Sequence, residues 1–263
     1  MTQLVFIHST GLGPFMWKPF LGRIEGAVEW TPANRGYAPG ERIERPQPSR
    51  LQDDVDHLLQ QIPSEEPVHL VAHSWGATLA LDLAVTGRLP VASLWLYEPV
   101  LFGSLARDAD RLDDATRSEL DDVLRGFRGV SEADGGREAW LESFVDYWNG
   151  RGAWQAMGER ARDSMRAVGW KMFQEVRGVF EDVRPFADYR TAVPVTLVVG
   201  GQSPRPARAM VQRLAEEMPH AVRVDVGPLG HMGVLHAAPL VVPTLIDHMD
   251  RLRSHPVREP AAP

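Results

Sequence analysis

Three side chains in this sequence have the types and surroundings needed for nucleophilic chemistry: Ser74, His231 and Glu98. A serine hydroxyl attacks well only when a base removes its proton, and the base must itself be held in the right orientation. Ser74 lies in Ala72-His73-Ser74-Trp75-Gly76, between the apolar runs "VHLV" and "ATLALDLA". Small residues two positions to either side suit a serine held in a strained turn between strand and helix, where bulky neighbours would collide. The competing reading is a serine N-cap, common where a strand leads into a helix, but a cap does not require both small residues. His231, in "PLGHMGVLH", follows the last strand-like run, where a base would reach the same edge of a sheet. Its bland alternative is a loop histidine with a structural hydrogen bond. His236 is the second choice of base, and His73 reads as structural because its side chain should point away from that of Ser74.

The elements that would position these residues follow from hydrophobic pattern. Short apolar runs at 4–8, 28–30, 68–73, 92–98 and 193–200 read as buried parallel strands, and "VRVDVG" at 222–227 alternates more clearly. Continuous apolar strands are expected where helices cover both faces of a sheet. Between them, Ser49 and Gln52 suggest a capping box ahead of Leu51, Val55, Leu58, Leu59 and Ile62 at helical spacing. Residues 75–86 read as a helix closed by Gly87, and "LVVPTLIDHMDRL" as the last helix. From about Leu101 to Arg190 the pattern is helical with no convincing strand. There Trp140, Phe144, Tyr147 and Trp148 share one face, as do Met172, Phe173, Val176, Val179, Phe180 and Val183.

Together, the loop "FIHSTGLGPFMW", the Ser74 turn and "GPLGHMG" at 227–233 resemble the α/β-hydrolase superfamily over nearly the whole chain. The resemblance implies an α/β fold: a mostly parallel central sheet with helices on both faces and an inserted helical lid. Residues 1–100 and 191–255 would form the core, 101–190 the lid and 256–263 a flexible tail. It also implies an oxyanion hole made by the backbone N–H groups of Thr10 and Trp75, with Ser9 standing where glycine is usual. In most of the family the acid follows the penultimate strand as G-x-x-D, yet here Ser203 occupies that place in "VVGGQSPRPARAM". Ser203 followed by Pro204 reads as a helix N-cap. The remaining site for a carboxylate is Glu98, at the end of the strand "LWLYEPV", where Pro99 favours an extended backbone. Some members of the family carry their acid there, and in others the Glu-Pro pair is structural. A two-residue Ser–His device and an acid from the lid stay open beside it.

Composition sets the outer bounds. The chain has 263 residues, 44% of them hydrophobic, and no cysteine, which excludes disulfides and thiolate metal sites. The formal charge of −7 argues against broad nucleic-acid binding, and no apolar run approaches the roughly 18 residues of a membrane span. "GLGPFM" lacks the last small residue of a dinucleotide fingerprint. No H-E-x-x-H motif is present. The expectation is a cytoplasmic enzyme with no cofactor or metal and a small-molecule substrate; a homo-oligomer is compatible with the sequence. Trp140, Trp148, Trp154 and Trp170 mostly read as lid core, with some facing the crevice and favouring an apolar or aromatic group. The expected reaction is cleavage of a carboxylic ester, thioester or lactone through an acyl-enzyme. The alternatives are a carbon–carbon bond hydrolase and a non-catalytic ligand binder.

Overall fold

In the computed structural model, which describes residues 1–63 and 65–254, the elements run in this order: β1 Thr2–Ile7, β2 Ala27–Trp30, α1 Leu51–Leu59, β3 Val68–His73, α2 Trp75–Thr86, β4 Val91–Tyr97, α3 Phe102–Arg107, α4 Asp114–Phe127, α5 Glu138–Asn149, α6 Ala153–Ala156, α7 Glu159–Glu181, β5 Val195–Gly200, α8 Arg205–Glu217, β6 Val222–Val226, α9 Gly233–His236 and α10 Ala238–Ser254. The tail expected at 256–263 lies outside the described residues. The strands form one sheet in the order β2-β1-β3-β4-β5-β6, and every neighbouring pair is parallel. This is an α/β fold of the α/β-hydrolase type.

Side chains alternate across a strand, so the continuous apolar runs divide between two cores. Val5, Ile7, Leu70, Ala72, Leu94, Leu96, Leu197 and Val199 face α1, α2 and α8. Their neighbours Leu4, Phe6, Val71, Trp95, Tyr97 and Val198 face the opposite way, onto Met16, Trp17, Phe20 and the apolar stripe of α10. A third cluster, with Trp140, Trp154, Trp170 and Phe173, lies within the helical segment between β4 and β5. Other residues of that segment, Leu105, Leu120, Val123, Val179 and Phe180, join the core of the sheet. Among the described residues no helix is long and apolar enough to cross a membrane.

Two local expectations need correction. The first helix starts one residue later than the Ser49–Gln52 box implies: Arg50 is the N-cap, and its N–H donates to Asp53 Oδ2 at 2.8 Å. Ser49 is buried, with its Oγ turned to Arg35 Nη1. α2 does end at Gly87, in the left-handed conformation that glycine tolerates.

Several histidines are buried with neutral-state partners. His248 of α10 lies between Thr196 Oγ1, 2.8 Å from its Nδ1, and Ser93 Oγ, 2.9 Å from its Nε2. Burial pushes its pKa down to about 3. Below about pH 6.5 the unfolded chain therefore binds a proton that the folded chain refuses, so folding stability falls as pH drops from about 6.5 toward 4. Each such group gives a slope of about 1.4 kcal/mol per pH unit. His248→Gln should lower the urea midpoint at pH 7 but lessen its further drop between pH 7 and pH 4.5.

Candidate active site

Ser74 lies between the last residue of β3 and the first of α2, with φ 55° and ψ −121°. Its N–H donates to Tyr97 O at 3.0 Å, which ties the turn to the neighbouring strand. The turn requires glycine at position 76, because a Cβ there would sit 2.4 Å from Ile7 O and 2.6 Å from His8 O. The hydroxyl does not cap α2; it faces His231 Nε2 at 3.0 Å. Trp75 is the first residue of α2, so its N–H has no acceptor within the helix.

His231 is carried by the loop after β6, and side chains from the ends of β3 and β4 pin that loop. Tyr97 Oη donates to Gly230 O at 2.7 Å, and His73 Nε2 lies 2.9 Å from His231 O. Burial, and then the neighbouring His231, hold His73 well below the ordinary histidine range. It is therefore neutral and donates from Nε2, the structural role the sequence suggests. His236 is exposed at the end of α9, whereas His231 is the histidine bonded to Ser74.

The carboxylate beside His231 is that of Glu98. Its Oε2 is 2.7 Å from His231 Nδ1, while its Oε1 accepts from Gly200 N–H at 2.7 Å and from Ser203 Oγ–H at 2.5 Å. Glu98 is fully buried. Two sequence expectations fail here for one reason. Ser203 is not a helix cap: α8 begins at Arg205 with Pro204 as N-cap, and the Ser203 hydroxyl is spent on Glu98. Nor is the Glu98 backbone extended. Its φ is +46°, making it with Ser74 one of two non-glycine residues of positive φ among the described residues. The bonds of its N–H to Val198 O and of its carboxylate to Gly200 and Ser203 outweigh the local preference imposed by Pro99.

On the other side of Ser74 stands the turn after β1. His8 Nδ1 lies 2.9 Å from Ser9 O, while its Nε2 accepts from Asn34 N–H at 2.9 Å. Burial pushes His8 down to about 4, so it stays neutral and fixes the loop. Ser9 to Leu12 form a tight turn with Gly11 at φ 74°, a position that favours glycine. The Thr10 N–H meets no backbone acceptor among the described residues. Thr10 and Ser74 border both halves of a cleft. One half is walled by Val100, Phe102, Phe127, Val176 and Phe180. The other is bounded by His231, Met232, Leu12 and Met165. Of the four tryptophans singled out in the sequence, Trp148 lines both halves and stacks on the His231 ring at 3.7 Å and 25°. Trp140, Trp154 and Trp170 pack in the third cluster. Among the described residues no three His, Asp or Glu side chains are grouped to hold a metal ion.

The fold and this arrangement at the carboxyl ends of the strands define an α/β-hydrolase-type site. The model of the alpha/beta hydrolase family matches residues 4–243, and the chain belongs to that family as an enzyme of the α/β-hydrolase class. Solved structures of similar fold include an epoxide hydrolase, CorEH (16% identity, 96% of this chain and 93% of that one, TM-score 0.70). MenH from S. aureus is also similar (14% identity, 96% and 94%, TM-score 0.65), as is an enol-lactonase from Burkholderia xenovorans LB400 (14% identity, 95% and 91%, TM-score 0.60). No curated protein matches the chain.

The sequence reading did not anticipate Ser203 and Gly200 as donors to Glu98, or Trp148 as the tryptophan on His231. Removing the Ser203 hydroxyl leaves part of a buried carboxylate undersatisfied, at a cost of roughly 1.5–3 kcal/mol for a hydrogen bond to a charged group. Urea unfolding of Ser203→Ala should show a loss of that order. Ser203→Asp should lose more at pH 8, where two carboxylates face each other, and recover in part at pH 5 as one takes a proton.

Proposed function

We propose that this protein is a serine hydrolase that cleaves a carboxylic ester, thioester or lactone of a small apolar or aromatic substrate through an acyl-enzyme. The observation that carries the reading is the continuous chain from Glu98 Oε2 through His231 to Ser74 Oγ, at 2.7 and 3.0 Å. With Nδ1–H donated to the carboxylate, His231 presents a basic Nε2 to the serine. Ser74 Oγ attacks the acyl carbon as its proton passes to His231 Nε2, and Glu98 stabilises the imidazolium formed. The N–H groups of Thr10 and Trp75 receive the negative oxygen of the tetrahedral intermediate. His231 then returns the proton to the leaving oxygen or sulfur, and water repeats the sequence to release the acid.

The two halves of the cleft support an assignment of the substrate's parts. The half lined by Phe102, Phe127 and Phe180 has an almost wholly apolar wall and suits the acyl group, which would dock there by burial of its own apolar surface. The half beside His231 suits the leaving group, since the proton it needs comes from that ring. In this reading residues 101–190 act as the lid, with Phe144, Tyr147 and Trp148 of α5 and Val176, Val179 and Phe180 of α7 shaping the cleft.

The test is intact mass after treatment with a fluorophosphonate, together with hydrolysis of p-nitrophenyl hexanoate. Wild type should take one adduct and turn the ester over. Ser74→Ala should take none and lose turnover by on the order of 10⁴-fold or more. Glu98→Gln, which favours the wrong imidazole tautomer, should react on the order of 10³–10⁴-fold more slowly. A normal labelling rate in Glu98→Gln would remove Glu98 from the mechanism. A folded wild type that binds apolar ligands without labelling would favour a binding protein instead.

A further inference from the structure

Directly behind the Ser9–Leu12 turn lies a group of charges that the chemistry above does not use. Lys171 of α7 is fully buried, with Nζ 2.5 Å from Asp54 Oδ2 of α1 and 3.0 Å from Glu175 Oε1 one turn further along α7. Glu175 Oε2 accepts from Tyr37 Oη–H at 2.9 Å, and Tyr37 Oη in turn accepts from Gly11 N–H at 3.0 Å. Met172 closes the turn from its other side: a Cβ on Gly11 would lie 2.8 Å from its Cε. An unbroken path of polar contacts thus runs from α1 through α7 and Tyr37 to the backbone of the turn.

Two carboxylates and one ammonium at this depth are expensive. Desolvation of each ion amounts to several kcal/mol, and a well-packed apolar trio is often as stable or more so. Burial raises the Glu175 carboxyl to about 7 in spite of the attraction of Lys171, and Asp54 adds to the rise. Burial likewise raises the Asp54 carboxyl, against the attraction of Lys171, Arg35 and His57. Stability alone gives little reason for such a group. Its geometry supplies another: the Gly11 N–H is consumed by Tyr37, which sets the rotation of the Thr10–Gly11 peptide and leaves the Thr10 N–H as the free donor of the turn.

We propose that Tyr37 and Glu175 are positioning residues for the oxyanion-binding turn, with α7 anchored by Lys171 and Asp54 as the support on which Glu175 stands. The proposal rests on the role given above to the Thr10 N–H. It makes α7 a fixed part of the active site, so that Glu175 acts on the reaction through Tyr37 and the turn without touching the substrate.

The test uses the full chain as Tyr37→Phe, Glu175→Gln and Glu175→Leu. Amide hydrogen exchange of residues 8–13 is read by mass spectrometry, beside p-nitrophenyl hexanoate kinetics and fluorophosphonate labelling. Tyr37→Phe removes one oxygen and leaves every ion pair in place. It should raise exchange across 8–13 severalfold and lower kcat about 10–100-fold with KM within twofold, as expected for loss of an oxyanion donor's alignment. Glu175→Leu should do the same. Glu175→Gln keeps an oxygen to accept from Tyr37 and should lie nearer wild type in both readouts. Unchanged exchange at 8–13 in Tyr37→Phe overturns the proposal, whatever the kinetics. Faster exchange with unchanged kcat overturns it too, because the turn then moves without effect on the reaction. Should Glu175→Leu fail to fold, Tyr37→Phe decides alone. Absence of labelling in folded wild type defeats the hydrolase reading, while the exchange data still decide whether Tyr37 holds the turn.

Discussion

The Glu98 carboxylate is the contact on which the rest of the site depends. A carboxylate with no exposed surface is tolerated only when its oxygens are met by hydrogen-bond partners. Here one oxygen meets His231, and the other meets the Gly200 N–H and the Ser203 hydroxyl. These partners come from the loop after β6, the last residue of β5 and the connection from β5 to α8. One side chain therefore gathers the carboxyl ends of three strands. The positive φ of Glu98 accompanies that convergence, and the bonds around it compensate for the conformational strain.

Much of this was legible in the sequence because it depends on local rules. Small residues around Ser74 announce a strained turn, and Gly76 proves necessary because two carbonyl oxygens fill the space a Cβ would need. Continuous apolar runs announce strands covered on both faces, and the five such runs, with the alternating sixth, are found in parallel register. What could not be read locally depended on partners distant in the chain. Ser203 followed by proline has every local mark of a helix cap, but a carboxylate 105 residues away takes its hydroxyl. Likewise, Pro99 gives the local preference at Glu98, while β5 decides the outcome. The Lys171–Glu175 pair did leave a signal, two charges four apart on a mostly apolar stretch of helix, whereas nothing near Tyr37 announces its contact with Gly11.

The helical segment between β4 and β5 contributes to the site through a few residues. Periodicity groups Trp140, Phe144, Tyr147 and Trp148 on one face of α5, but the structure divides their work. Trp140 packs edge-on against Phe173 in the segment's own core, while Trp148 covers the imidazole of His231. In the proposed mechanism, an aromatic face against that ring favours the positive charge the ring would carry after taking the serine proton. It also leaves little room for water on that side.

The placement of Glu98 at the end of β4 also changes what sets distance in the site. β3 and β4 are hydrogen-bonded neighbours, and Ser74 and Glu98 follow them immediately, with Ser74 N–H bonded to Tyr97 O. The separation of Ser74 and Glu98 is thus tied to the spacing between adjacent strands, roughly 4.7–4.9 Å in any sheet. That spacing is among the least adjustable lengths in a protein. An acid carried on a loop takes its position from the loop's packing and shifts whenever that packing is altered. Here the sheet itself serves as the gauge, and sequence drift in the connection beyond Ser203 can remodel the protein's surface without resetting it.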